Sequence, residues 1–326
     1  MIGKIGLEEH FAIPETLMDS AGFVPGDYWK ELSKRLLDIH EDRLREMDQN
    51  GMQMMVLSLN APAVQAIPDR KKANEIAMRA NDFLAEQVAK RPDRFQAFAA
   101  LPLQDPEMAT KELERCMVQL KFKGALVNGF SQVDTPENVV YLDDSRYADF
   151  WAKVESLDAP FYLHPRNPLA SWGQIYDGHP WLMGPTWAFG QETAVHALRL
   201  MASGLFDKHP KLKIILGHLG EGLPYSMWRI DNRNAWVKVP KTYPAKRKLG
   251  EYFQENFWLT TSGNFRTQTL IDAMLEIGSD RILFSTDWPF ENVDHASNWF
   301  NDTSISEADR MKIGRTNVIE LLKLDL

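Results

Sequence analysis

Eight short apolar runs, each followed by a loop and an amphipathic helical stretch with no low-complexity linker between them, predict an α/β fold: a closed (βα)8 TIM barrel in a single domain over residues 1–326. A chain of 326 residues is an ordinary size for one large barrel. Hydrophobic residues make up 44% and charged residues 25%, the balance of a folded chain rather than a disordered one.

The strands are expected at residues 4–10, 54–59, 95–101, 124–128, 161–164, 212–218, 257–262 and 281–287. Each is short and mostly apolar, as a parallel strand covered on both faces must be. The clearest helices between them span 74–89, 106–120 and 191–206. Long loops follow the first strand (11–33) and the fifth (165–190), where βα loops build the active face of a barrel. Residues 306–324 read as a C-terminal helix.

The net charge of −8 argues against nucleic acid as a partner, because that binding rests on Lys and Arg contacts to phosphate. No run has the length and apolarity of a membrane span, and the first residues lack the apolar core of a signal peptide, so the cytoplasm is expected. Cys116, the lone cysteine, has no partner for a disulfide or a sulfur metal site and reads as a buried structural thiol.

Polar residues at strand ends carry the chemistry. Glu8 and His10 end the first strand, His164 the fifth, His218 the sixth and Asp287 the eighth. Side chains alternate along a strand, so Glu8 and His10 share a face roughly 7 Å apart. That alternation sends Ile5, Leu7 and Glu9 toward the helices and selects Glu8 as the inward carboxylate. In the eighth strand it turns Asp287 inward and Ile282, Phe284 and Thr286 outward. A single strand-end histidine is more often a hydrogen-bonded structural residue than a ligand. Four inward ligands at one barrel end are another matter, because unpaired buried charge is costly and a cation relieves it.

Glu8-x-His10, the strand-end His164, Leu216-Gly217-His218-Leu219-Gly220-Glu221-x-Leu223-Pro224 and Ser285-Thr286-Asp287-Trp288-Pro289 together resemble the signature of the amidohydrolase superfamily, and more narrowly of its metal-dependent non-oxidative decarboxylases. Trp187-x-Phe189-x-x-Glu192-Thr193 and the stretch from Leu198 to Asp207 strengthen the likeness, which covers essentially the whole chain. The resemblance implies one divalent metal, Mn2+ or Zn2+, held by Glu8, His10, His164 and Asp287. Hydrolytic relatives open with His-x-His and carry a bridging lysine on the fourth strand; this chain ends that strand in Asn128, which points to one metal rather than two. A nitrogen and oxygen ligand set without sulfur suits either ion.

The implied reaction is reversible loss of CO2 from an ortho-hydroxybenzoate, with 2,6-dihydroxybenzoate to resorcinol favoured over the 2,3-isomer. No signature of an organic cofactor is evident, so the small aromatic acid must supply its own electron sink. Asp287 is the expected proton donor, and His218 with Glu221 an acid–base pair whose carboxylate orients the imidazole. Arg229 is expected to contact substrate, in relatives often across a subunit boundary, which implies a homo-oligomer, dimer or tetramer. Asn128 is assigned to a ring hydroxyl, Phe23 to the ring face, and His164 to the substrate as well as the metal. His179 is a further candidate for the pocket wall, whereas His40, His196, His209 and His295 read as surface or structural. Two other readings stay open: a hydrolase of a lactone or amide using the same ligands to activate water, and a non-catalytic binder of metal or aromatic acid.

Overall fold

The structure is a computed structural model and describes residues 1–236 and 243–326. Its strands are β1 Lys4–Phe11, β2 Met52–Leu59, β3 Phe95–Ala97, β4 Ala125–Asn128, β5 Ser131–Val133, β6 Thr135–Val140, β7 Phe161–His164, β8 Ile214–Leu216, β9 Phe257–Thr260 and β10 Ile282–Leu283. All but β5 and β6 coincide with the eight expected strands, in the expected order. The β5–β6 hairpin is antiparallel, lies outside the parallel set and was not expected. Its turn residue, Asp134, takes a left-handed conformation (φ 64°).

Pairing is parallel throughout the eight, in the orders β1-β2-β3 and β10-β9-β8-β7-β4. A bridge between Ala99 and Ala125 joins the two sheets at one seam. At the other, the His10 N–H donates to Trp288 O at 2.6 Å and the Glu8 N–H to Ser285 Oγ at 2.7 Å, linking the first strand to the end of the last.

Two apolar clusters divide at the strands. The larger lies between strands and helices and takes Met55, Leu57, Phe161, Leu163, Ile282 and Phe284. The smaller takes side chains from the other strand face, among them Met54, Val56, Phe98, Leu126, Tyr162, Ile215 and Leu283, with half-buried Trp258 against them. Val318, Leu321, Leu322 and Leu324 join this interior and plug one end of it. Cys116 is fully buried, as expected, and burial pushes its thiol up.

Ile5 and Leu7 belong to the inner cluster, which corrects the outward orientation read from simple alternation. The cause is a bulge in β1: Gly6 faces Met55 and Glu9 faces Leu57, so Leu7 and Glu8 together oppose one residue of β2. The extra residue resets the alternation. Leu7 and Glu8 therefore both point inward, and Glu9 points out.

The expected helices form as Arg70–Lys90, Pro106–Val118 and Ala188–Ala202. Asp69 caps the first through the Lys72 N–H, and Asp105 caps the second through the Glu107 and Met108 N–H groups, with Pro106 opening the first turn. Arg70–Lys90 buries Ala73, Ile76, Ala77, Ala80 and Leu84, the three-and-four spacing of one helix face. The expected C-terminal helix forms over residues 307–322, with a π-helical turn, Lys312–Thr316, between its α-helical ends Glu307–Met311 and Asn317–Leu322. The loop after β1 folds into a short 3-10 helix and the helix Gly26–Leu37, and the loop after β7 into three 3-10 turns. Among the described residues, no helix is long and apolar enough to cross a membrane.

Candidate metal centre and active site

Glu8 anchors the site. Its Oε2 accepts from the Tyr162 hydroxyl, from Ser262 Oγ at 2.6 Å and, at the limit of reach, from Thr260 Oγ1 at 3.5 Å. All three donors stand on the inner faces of β7 and of the strand run that β9 begins. Space for the carboxylate comes from Gly217, where a Cβ would stand 2.7 Å from Glu8 Oε2.

With Oε2 held, Oε1 faces the histidines: His164 Nε2 at 3.3 Å, His218 Nε2 at 3.6 Å and His10 Nε2 at 3.9 Å. Asp287 closes the ring, with Oδ1 3.4 Å from His10 Nε2 and Oδ2 3.9 Å from His218 Nε2. Ser58 Oγ, 3.3 Å from His10 Nδ1, fixes that ring from behind. Two overlapping triplets, Glu8–His10–His164 and Glu8–His218–Asp287, each bring their ligand atoms within 4.8 Å of one another.

Among the described residues, Glu8 Oε1 and His10 Nε2 are buried without a hydrogen-bond partner. Such orphaned groups are expensive, and a cation between them satisfies both. The donor set, imidazole nitrogen and carboxylate oxygen without thiolate, suits a divalent ion of the Mn2+ or Zn2+ type. The residues therefore fit a metal centre.

The charges respond to one another across the cluster. Burial alone would raise the Glu8 carboxyl, but the imidazoles of His218, His10 and His164 outweigh it and hold Glu8 well below the usual carboxylate range. Burial works against a charged His10, yet the Asp287 and Glu8 carboxylates raise it to about 9. At His164 burial prevails over Glu8 and lowers it. For His218, Glu221 and Glu8 overcome burial and raise it well above the ordinary imidazole value.

His218 and Glu221 form the expected pair, Nδ1 to Oε1 at 2.8 Å. Both occupy left-handed backbone (φ 53° and 55°), and Asp287 does too (φ 64°). Left-handed conformations at non-glycine residues cost on the order of 1–3 kcal/mol each and persist where surrounding contacts impose them. The strain marks where the chain leaves β8 and β10 to present side chains to the site.

A cavity of about 250 Å³ opens on this cluster, lined by His164, His218 and Asp287 together with the rings of Phe23, Phe189 and Phe290. A cavity of about 150 Å³ holds benzene, so this one has room for a single substituted ring. Phe23 stacks edge-on against Phe189 at 5.1 Å. A larger cleft of about 680 Å³ shares His218 and Phe189 with it and runs outward between the helices Ala188–Ala202 and Leu223–Trp236.

Asn128 is buried at the end of β4, paired in register with His164. Its amide nitrogen donates to Asn60 O and Pro62 O, which leaves Oδ1 as the free group. Arg229 lies exposed on Leu223–Trp236 and lines neither cavity. His179 is exposed beside Trp181 and is not a pocket residue, a correction to the sequence reading. His196 is buried and accepts from the Leu142 N–H, while His40, His209 and His295 contact Gln87, Glu155 and Phe265.

Sequence reasoning missed the hydroxyls around Glu8. Tyr162 and Ser262 sit on inward positions of otherwise apolar strands, and that pattern was the available signal. It also missed Glu291, which lines the cavity and is raised by burial and then by the Asp287 charge.

The amidohydrolase family model matches residues 22–324. Over 325 residues, all of this chain and 99% of the relative, the sequence is 74% identical to γ-resorcylate decarboxylase of Rhizobium sp. strain MTP-10005. A crystal structure of 2,6-dihydroxybenzoate decarboxylase complexed with 2,6-dihydroxybenzoate superposes with a TM-score of 0.98 at 74% identity, covering 99% of this chain and all of the other. So does that of a dihydroxybenzoic acid decarboxylase from Polaromonas sp. JS666 with bound manganese and the inhibitor 2-nitroresorcinol: TM-score 0.98, 70% identity, covering all of this chain and 98% of the other.

Proposed function

This chain belongs to the amidohydrolase family, and we propose that within it the protein is a metal-dependent carboxy-lyase converting 2,6-dihydroxybenzoate to resorcinol and CO2. One observation carries the reading: buried, unpartnered Glu8 Oε1 and His10 Nε2 converge with His164 and Asp287 at the wall of a cavity sized for one ring.

Glu8, His10, His164 and Asp287 hold the ion, for which the manganese bound in the Polaromonas relative favours Mn2+ over Zn2+. When bound, the ion supplies positive charge that anchors the substrate carboxylate and the neighbouring phenol oxygen. No organic cofactor is needed, because the ortho hydroxyls push electron density onto the carboxyl-bearing carbon.

Asp287 delivers a proton to that carbon. The carbon–carboxylate bond then breaks, its electron pair restores the aromatic ring, and CO2 leaves. One proton enters for each CO2 lost, and the reverse reaction consumes CO2 and resorcinol and returns the proton. His218, oriented by Glu221, holds a proton at Nε2 beside Asp287 and faces the second ortho hydroxyl. Phe23 covers the ring face and Asn128 Oδ1 accepts from a ring hydroxyl.

The exposed rings of Trp187, Tyr225 and Trp228 lie on the elements that flank the outer cleft, which supports assembly into a homo-oligomer. Arg229, on the same exposed helix, is then offered to a neighbouring subunit's site. The enzyme works in the cytoplasm on small aromatic acids, without nucleic acid or membrane partners.

The test is a substrate panel with the Mn2+-loaded protein: 2,6- and 2,3-dihydroxybenzoate, 4-hydroxybenzoate, benzoate and a lactone, following CO2 and products. The 2,6-isomer should give resorcinol and CO2 in equal amounts, and resorcinol with concentrated bicarbonate should run the reaction backward. Benzoate and 4-hydroxybenzoate, which lack the ortho oxygen, should be inert. Rapid turnover of 4-hydroxybenzoate, or turnover of the lactone alone, would overturn the reading.

A further inference from the structure

Directly behind the site lies a carboxylate that the reaction as derived does not use. Glu9 is fully buried, and the bulge in β1 turns it away from Glu8 toward the outer side of the barrel wall. Gly6 makes room for it: any side chain there would overlap the Glu9 carboxylate. All four of its hydrogen bonds come from the segment carrying Asp287. Oε1 accepts from Ser285 Oγ at 3.1 Å and the Thr286 N–H at 2.9 Å. Oε2 accepts from Thr286 Oγ1 at 2.5 Å and the Trp288 N–H at 3.1 Å.

Arg43, also fully buried, lowers the Glu9 carboxyl by its charge, but burial outweighs it and the hydrogen bonds and raises that carboxyl to about 7. Arg43 donates to His10 O at 2.7 Å and lies over the Trp288 ring at 3.7 Å. Glu9 and Arg43 thus each hold backbone of a strand end that presents the metal and proton-donor residues. Asp287 between Thr286 and Trp288 is left-handed (φ 64°), a conformation uncommon outside glycine though more accessible to Asp than to most residues.

We propose that Glu9 is a positioning residue for the decarboxylation: its carboxylate clamps the backbone on both sides of Asp287 and holds that side chain where it reaches the substrate carbon. The assignment rests on Asp287 being the proton donor. Both Glu9 oxygens face donors, so an amide in place of the carboxylate must turn its NH2 toward one pair of them. The clamp then fails on that side while the side chain keeps its volume.

The test is Glu9→Gln at saturating Mn2+, with manganese stoichiometry, kcat, KM and deuterium uptake at C2 of resorcinol in D2O. Full manganese, a KM within about threefold of wild type and a kcat lower by about 10–100-fold are expected, with deuterium uptake slowed by the same factor. Thr286→Val, which removes one donor at nearly constant volume, should lower kcat by a smaller factor, and adding it to Glu9→Gln should cost little more. A wild-type kcat in Glu9→Gln, or a loss explained by missing manganese, overturns the proposal. Should Glu9→Gln not fold, Thr286→Val decides: reduced kcat at full manganese supports the clamp, and unchanged kcat overturns it. Asp287→Asn separates the two readings. If it keeps its turnover, the proton-donor reading falls and the clamp with it. If it is inactive while Glu9→Gln turns over normally, the clamp alone falls.

Discussion

The Tyr162 hydroxyl donates to Oε2 of Glu8, so the carboxylate facing three histidines is fixed through one oxygen and free at the other. Thr260 Oγ1, 2.7 Å from the same phenol oxygen, orients it in turn. Tyr162→Phe keeps the ring in the barrel interior and removes this donor. Partners of this kind are worth about 10–100-fold in metal affinity, and a loss of that order is expected in Mn2+ titration with a competing chelator. Unchanged affinity would mean that Ser262 and Thr260 suffice to fix Glu8.

His218 belongs to one of the two ligand triplets, yet its Nδ1 is engaged by Glu221 and its ring borders the cavity. His218→Ala should keep manganese and lose turnover by about 10²–10⁴-fold, the range of a positioned acid–base group. His164→Ala should lose both metal and turnover. Elemental analysis decides; a metal-free His218→Ala protein would make His218 a ligand.

Gly217 tests the packing beneath the site. An added methyl would meet Glu8 Oε2 at 2.7 Å and both Ser262 Oγ and Tyr162 Oη at 3.2 Å, none of them able to retreat from a filled barrel interior. Gly217→Ala should cost about 1–3 kcal/mol by overpacking and weaken manganese binding. Gly22→Ala, which meets nothing within 4 Å, serves as the control and should do neither. Thermal unfolding of both variants, with and without Mn2+, reads the difference.

His196 predicts an acid limb in stability. Burial, then the nearby Arg199 charge, lowers it from 6.5 to about 3. An unfolded chain takes up the proton as pH falls through about 6.5, whereas the folded chain refuses it until about 3. The stability tied to neutral His196 is therefore complete above the unfolded value and is lost as pH falls across that window, at most about 1.4 kcal/mol per pH unit. His196→Gln can still accept from the Leu142 N–H, and its unfolding temperature should fall less between pH 7 and pH 4.5 than that of wild type. Parallel curves would remove His196 as a cause.

The strand order and the convergence of Glu8, His10, His164 and Asp287 were legible because they rest on local patterns: short apolar runs, and polar residues at their ends. The inward direction of Glu8 was also read correctly, but for an incomplete reason. Alternation placed Ile5 and Leu7 outside, whereas the bulge brings both inside along with Glu8. Gly6, a glycine within a strand, was the trace of that bulge. The β5–β6 hairpin escaped notice because Thr135, Pro136, Glu137 and Asn138 make a polar, exposed strand without the apolar alternation that marks a half-buried one. The surroundings of Glu9 could not be read at all, since its partners lie 276 to 279 residues away.

The seam between β1 and the end of the last strand also sets a timetable. While the chain is being synthesised, the first strand has β2 on one side and an open edge on the other, with Glu8 already facing inward. His164 arrives midway and Asp287 only near the end of 326 residues. A nascent or truncated chain that stops before β10 thus carries an incomplete set of donors and an unpaired strand edge, the condition in which chains pair with one another. A chain lacking residues 282–326 would lose Asp287 and the partners of the first strand's outer edge, Ser285 and Trp288, together.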